Sequence, residues 1–374
     1  MGVRASALTW VVVATVAVGV PVALTQTRAA DAADKPSFKT PRTSWGDPDL
    51  QGVWDYRTIT PLERRPEMGD RELYTDQEIA QLEGRAARRL DEAPDTSVQT
   101  NLVHADYLTD PGRHVDESRR NSLIVDPKNG RVPPLTPDAQ QRQEKAAAAR
   151  TAGGAAPGGR VDTYLNRPLY ERCITRGIAG SSLRVVYGNG QRVVQGPGVV
   201  AISYEMVHDT RLIYTDGRPH INQAIRQYLG DSRAHWEGDE LVVETTNLTD
   251  KTAIGVNGNG NRHSTQMKLT ERYKRVAADI LQYQTTVDDP VTYARPFTMS
   301  YPLTPLDGGR LLPYDCHEGN FALLQSLGGE RAEDRALEAD AKKGIVRPRR
   351  PVQGGLGVGG QPVGEGGFGA VPPL

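Results

Sequence analysis

The chain has 374 residues, with 45 basic and 46 acidic side chains, a formal charge of −1, and 37% hydrophobic residues. That balance provides no global positive field for nucleic acid or an anionic membrane surface. Two cysteines exclude a disulfide-dense miniprotein and any four-cysteine zinc or iron–sulfur centre, whereas seven histidines leave a histidine-led site open.

Arg4 precedes an uncharged stretch from Ala5 to Leu24, and an Ala30-Asp31-Ala32 step follows. A basic start, an apolar middle and a small-residue exit predict a signal peptide over 1–32. The alternative, an uncleaved anchor, is disfavoured by Gly19 and Pro21 near the end of the apolar run. Export puts Cys173 and Cys316 in an oxidising compartment, which predicts a disulfide between them. Residues 33–165 read as an extended and helical N-terminal region. Its anchor is Asp47 to Trp54, a first strand or docked arm. Thr75 and Glu78 form a capping box ahead of Ile79, Leu82, Ala86 and Leu90 at helical spacing, predicting a helix over 76–91. Thr136-Pro137 starts a second helix, which runs into a flexible insertion near 139–160.

Residues 166–335 change character. Short β-branched runs alternate with brief turn signals at 183–187, 192–194, 198–207, 211–215, 233–236, 241–245, 267–276, 280–287, 293–301 and 311–316. This predicts a mainly β fold, an antiparallel up-and-down β-barrel or a sandwich with a few peripheral helices, in which a barrel cavity would carry function. The string from Gly255 to Gly260 has the wrong spacing and context for a dinucleotide fingerprint and reads as a hairpin loop. Residues 345–374 form a Gly/Pro-rich tail too poor in apolar and charged residues to fold alone.

Strand alternation orients the polar residues. Glu271 falls on the face of Met267, Leu269 and Tyr273. Arg295 falls on the face of Tyr293, Phe297, Met299 and Tyr301. A charge inside a barrel needs a partner, so Glu271 and Arg295 are expected to pair, or else Arg295 binds a ligand carboxylate or oxyanion and Glu271 orients it. Glu244, on a strongly β-forming strand, is a further ligand-binding candidate. A dense polar group spans Glu205, His208, Asp209, Arg211, Asp216, Arg218, His220, Asp231, Arg233 and His235. Histidine titrates near neutrality, a carboxylate can orient it and arginine can stabilise negative charge. The bland alternative is ordinary turn chemistry at His208-Asp209 and Asp216-Gly217. His317, beside Cys316, is a third candidate if the disulfide fixes it.

Several strings in order look familiar: Pro48 to Trp54, Glu171 to Gly177, Glu205 to Asp209, Asp216 to His220, Leu229 to Arg233, Trp236 to Asn247 and Cys316 to Asn320. Together, over about 45–330, they resemble a family of secreted bacterial proteins abundant in acidobacteria and proteobacteria. The resemblance implies export and a lipocalin-like β fold, and carries no activity with it.

The sequence therefore predicts a periplasmic or secreted protein handling a small-molecule ligand or substrate, with no nucleic-acid partner, no membrane association after signal cleavage and no set oligomeric state. One form is a cofactor-independent acid–base enzyme, a lyase, isomerase or hydrolase. Its catalytic candidates are Glu205, His208, Asp209, His220, Arg233 and His317, and its ligand-binding candidates Arg211, Arg218, Glu244, Glu271 and Arg295. The other form is a lipocalin-like carrier in which the same residues only orient the ligand. No organic cofactor or metal is implied, although His208 and His220 with Asp209 or Asp216 would be the metal ligands if one bound.

Overall fold

A computed structural model describes residues 38–91, 112–151, 160–183, 188–255 and 261–349. The expected signal peptide, the glycine-rich part of the insertion, residues 184–187 and most of the tail lie outside the described residues. No helix among the described residues is long and apolar enough to cross a membrane.

The fold is mainly β and its centre is a closed barrel. Strands β1 (Gly52–Asp55), β3 (Gly190–Gly196), β4 (Val199–Tyr204), β5 (Thr210–Tyr214), β6 (Asp231–Glu237), β7 (Glu240–Thr246), β10 (Lys268–Ala277), β11 (Ile280–Asp288) and β12 (Phe297–Pro305) follow one another around it. The anchor string closes the ring. β1 pairs with β3 on one side and, through Trp54 opposite Pro305, with β12 on the other. A short strand β2 (Ile124–Asp126) extends the same edge of β12. All pairs in the barrel are antiparallel except β5–β6, where Ile213 lies opposite Ser232 in parallel. The connection between these two strands, residues 215–230, is a long irregular crossover rather than a hairpin. A small separate sheet pairs β8 (Ala253–Ile254) with β9 (Asn261–Arg262); residues 256–260, most of the expected hairpin loop between them, lie outside the described residues.

Alternation decides what fills the barrel. Val193, Val200, Ile202, Ile213, Leu241, Val243, Leu281 and Leu303 point inward with Trp54. At one end the short helix α3 (Ile178–Ser181) caps the lumen, with Ile178 and Leu183 packed against Met267, Leu269, Phe297 and Met299. Both expected N-terminal helices form. In α1 (Asp76–Asp91), the Thr75 hydroxyl accepts the Glu78 N–H while the Glu78 carboxylate accepts the Thr75 N–H. In α2 (Pro137–Thr151), the Thr136 hydroxyl accepts the Ala139 N–H.

Three expectations need correction. Residues 311–316 form no strand. Both strand neighbours of β12 are already in place, so the chain leaves the sheet as an irregular strap before α4 (Ala322–Ala341). The last strand begins at Phe297, not Tyr293, because the chain bends through 294–296. Arg295 is therefore exposed and meets Asp126 at 3.1 Å, not Glu271. The strap is fixed by a disulfide between Cys173 and Cys316, with Cα atoms 5.6 Å apart.

Candidate functional site

The charge inside the lumen has a partner, but a different one. Arg211 on β5 donates two hydrogen bonds to the Glu271 carboxylate on β10, at 2.6 and 2.8 Å. The Tyr273 and Tyr283 hydroxyls donate to the same carboxylate at 3.1 and 2.9 Å. Glu271 is completely buried and Arg211 nearly so. Burial raises the pKa of Tyr273, Tyr283 and Tyr301, and pushes Tyr204 up to about 12. Above this cluster, Arg176 donates to the carbonyls of Gly180 and Leu183 and to the Tyr56 hydroxyl, tying α3 down as a plug. Arg211 and Glu271 thus act as an internal brace; two surface clefts lie at the β4–β5 corner and beside the 116–120 turn.

The remaining candidates gather on the outer wall. Outward residues of β6 and β7 are Asp231, Arg233 and Glu244, in the register Asp231 opposite Thr246 and Arg233 opposite Glu244. The crossover lays His220 over them. Its Nδ1 lies 2.7 Å from the Asp231 carboxylate and its Nε2 3.5 Å from Glu244. Asp231 is 8% exposed at its side chain, and Arg233 and the Ile221 N–H both bond to it, at 2.8 and 3.2 Å. The His220 ring keeps 25% exposure. Lys268 on β10 pairs with Glu244 and, with His220, lowers its pKa. The guanidinium groups of Arg218 and Arg233 lie 4.1 and 5.1 Å from the Tyr214 ring centre, and Arg218 also holds Asp216.

Two backbone features place this dyad. Gly230 has φ +63°, and a Cβ there would run into the Thr246 carbonyl, so glycine lets Asp231 enter the sheet edge beside β7. Asn247, buried and also at positive φ, donates to the carbonyls of Asn222 and Ile225 at 2.9 and 3.0 Å and pins the crossover.

Next along the wall is a cleft of about 360 Å³ between the β4–β5 corner and the strap. His208, Ser203 and Thr210 line one side, and Pro313, Tyr314 and Asp315 the other. Val207 and His208 hold φ of 65° and 45°. Two successive non-glycine residues in the left-handed region carry strain of about 1–3 kcal/mol each, which persists only where the surroundings impose it. Tyr314 packs with Tyr170, Met206 and Val207 beneath the corner. Glu205 spends both carboxylate oxygens on the structure, accepting the Gly190 and Leu312 N–H groups at 3.1 Å each. Asp209 accepts the Thr175 hydroxyl at 2.6 Å, and burial raises its pKa. β5 joins cleft and dyad: Thr210 lines the cleft, and Tyr214, four residues on, lies opposite Arg233 across the β5–β6 pair. His317 is exposed in the turn after Cys316. Among the described residues no three His, Cys, Asp or Glu side chains are arranged to hold a metal, so His208 and His220 do not form the metal set considered above.

Comparison with known proteins adds no relative. Family models, curated proteins and solved structures all give no match.

Of the sequence candidates, His220, Arg218, Arg233 and Glu244 converge at the dyad, and Glu205, His208 and Asp209 at the cleft corner. Sequence reasoning named Asp231 only as one of a crowd, and missed Lys268 and Tyr314. Lys268 could have been found, since it alternates outward on the strand that carries Glu271.

Proposed function

We propose that this is an exported β-barrel enzyme that seats a small molecule on the outer wall of its barrel and acts on it by acid–base chemistry. The observation that carries the reading is the 2.7 Å contact of His220 Nδ1 with a buried, braced carboxylate, while the rest of the ring keeps a solvent face. The Asp231 carboxylate on Nδ1 orients the ring, and Nε2, which faces Glu244 at the longer distance of 3.5 Å, is the nitrogen left to exchange a proton with a substrate that displaces that contact. Asp231 orients His220, Arg233 holds Asp231, and the cleft at the other end of β5, lined by Thr210, supplies a concave surface for the part of a substrate away from the ring. Export accords with the Cys173–Cys316 bond, since such bonds persist in oxidising compartments.

The test is a metabolite library screened against the full chain without its first 32 residues, by native mass spectrometry for binding and by NMR for turnover. Turnover of a bound compound that falls about 100-fold or more in His220→Gln supports the enzyme reading. Binding without turnover, weakened by His208→Gln but not by His220→Gln, replaces it with the carrier reading, which the cleft favours. Absence of any ligand whose binding or turnover depends on either histidine refutes both.

A further inference from the structure

The lining of the β4–β5 corner cleft points to a neutral, hydroxyl-rich ligand with one apolar face, of the saccharide class. This inference rests on the reading of that cleft as the seat of the ligand.

Charge excludes the ionic alternatives first. No lysine or arginine lines the cleft, and its acidic groups are Glu205 and Asp315. A carboxylate or phosphate ligand would meet these without a counter-charge, and anion sites recruit arginine or lysine. A cation would need a carboxylate with free lone pairs away from water. Glu205 is a poor candidate, because the Gly190 and Leu312 N–H groups each occupy one of its oxygens and leave only about two of its four lone-pair sites. Asp315 is exposed, and an exposed ion pair is worth little.

What remains is a set of groups that both donate and accept. The Ser203 and Thr210 hydroxyls lie 2.9 Å apart on adjacent strands, so one proton is shared between them and the other is left to point outward with the remaining lone pairs. His208 stands at the rim with one donor and one acceptor in its neutral form. Asp315 accepts from the opposite wall. A ligand hydroxyl is matched to such a set because it too gives one bond and takes others. The strap adds Leu312, Pro313 and Tyr314, an apolar face for the C–H side of a ring. At about 360 Å³ the cleft sits at the lower end of the ligand-pocket range of roughly 300–1,000 Å³.

The experiment is saturation-transfer NMR on the same full chain. The probes are cellobiose, maltose and lactose, with choline as the cation and citrate as the anion. At least one disaccharide is expected to bind, with transfer concentrated on ring C–H protons. His208→Ala and Asp315→Ala are exposed changes that leave the core intact, and each is expected to raise Kd about tenfold, the loss of one good hydrogen bond. Circular dichroism confirms that both variants fold. Binding of choline or citrate without any disaccharide overturns the saccharide class; the cleft survives as a ligand site if His208→Ala weakens that binding. Disaccharide binding unchanged by both variants overturns the inference, because the sugar then sits elsewhere. No binding by any probe also overturns it, while the library screen above decides separately whether the cleft takes another ligand.

Discussion

Replacing Arg211 by methionine isolates the brace inside the barrel. The change leaves the Glu271 carboxylate, completely buried, with only the Tyr273 and Tyr283 hydroxyls as donors. Breaking one side of a buried ion pair costs about 3–5 kcal/mol, because the remaining charge has lost its compensation. Glu271→Leu should cost a similar amount by stranding Arg211, and the two tyrosine hydroxyls would lose their acceptor as well. The double variant behaves differently. No charge remains to be stranded, and apolar side chains of similar volume replace the pair. The residual cost comes from the unsatisfied tyrosine hydroxyls, about 1–3 kcal/mol per group at the upper end. Two stranded hydroxyls cost about 2–6 kcal/mol, against about 6–10 kcal/mol for the two single changes added together, so the double variant is expected to cost clearly less than their sum, with a coupling energy of about 4 kcal/mol at mid-range. Urea denaturation followed by circular dichroism, with the disulfide intact, measures all three. A double variant as costly as the sum of its parts would refute the argument, as would an Arg211→Met cost below about 1 kcal/mol. If a single variant fails to fold, Arg211→Lys keeps a charge in place and serves as the milder arm of the cycle.

Three further outcomes follow from the same structure. Reducing the Cys173–Cys316 bond, which closes 143 positions of chain, should lower stability by up to about 5 kcal/mol, read as a fall in Tm with dithiothreitol; an unchanged Tm counts against a stabilising role. His263 is buried, its Nδ1–H donating to the Ser264 carbonyl and its Nε2 accepting the Thr252 hydroxyl, and burial lowers its pKa. Its stabilising contribution is complete above the unfolded value near 6.5 and is lost as pH falls from there toward the depressed folded value, by at most about 1.4 kcal/mol per pH unit. The urea midpoint should drop between pH 7.5 and 5.5 by less in His263→Gln than in the wild type, and equal drops would remove His263 as the cause. Gly230→Ala forces a Cβ against the Thr246 carbonyl at φ +63° and should cost about 2–4 kcal/mol while shifting the His220 ring resonances; a silent substitution would show that Asp231 does not depend on that approach.

The barrel was legible because period-2 alternation survives in its strands, and Glu271 was correctly read as inward for that reason. Its partner was not legible. Alternation tells which face a residue takes, whereas pairing across the lumen depends on how the ring closes. Arg211 lies on a five-residue strand whose outward partners Thr210, Leu212 and Tyr214 blur the pattern. Arg295 failed for a local reason: the aromatic spacing of Tyr293 and Phe297 continues through a bend that is not a strand, and Tyr293 is buried through its bridge to Leu135 instead. The strap at 311–316 looked like a strand by composition, but a strand needs an open edge and none was left. The dyad was half legible. His220 and Asp231 stood in one polar crowd, but choosing them from ten residues required the crossover to fold back over β6 and β7, which no spacing encodes.

The position of β1 has a consequence for how the barrel is made. A strand near the start of the chain seals a ring whose other sealing edge is β12, with Trp54 opposite Pro305. As the chain emerges from its N-terminus, β1 comes out first and waits longest for its last partner. Until β12 arrives, the growing sheet is an open ribbon with two bare edges, the form of β-structure most prone to pairing with other chains. Closure is thus a late, long-range event, and contacts of that span slow folding. The sequence protects the waiting strand by brevity: β1 offers only four residues, Gly52–Asp55, bounded by the buried anchors Leu50 and Tyr56.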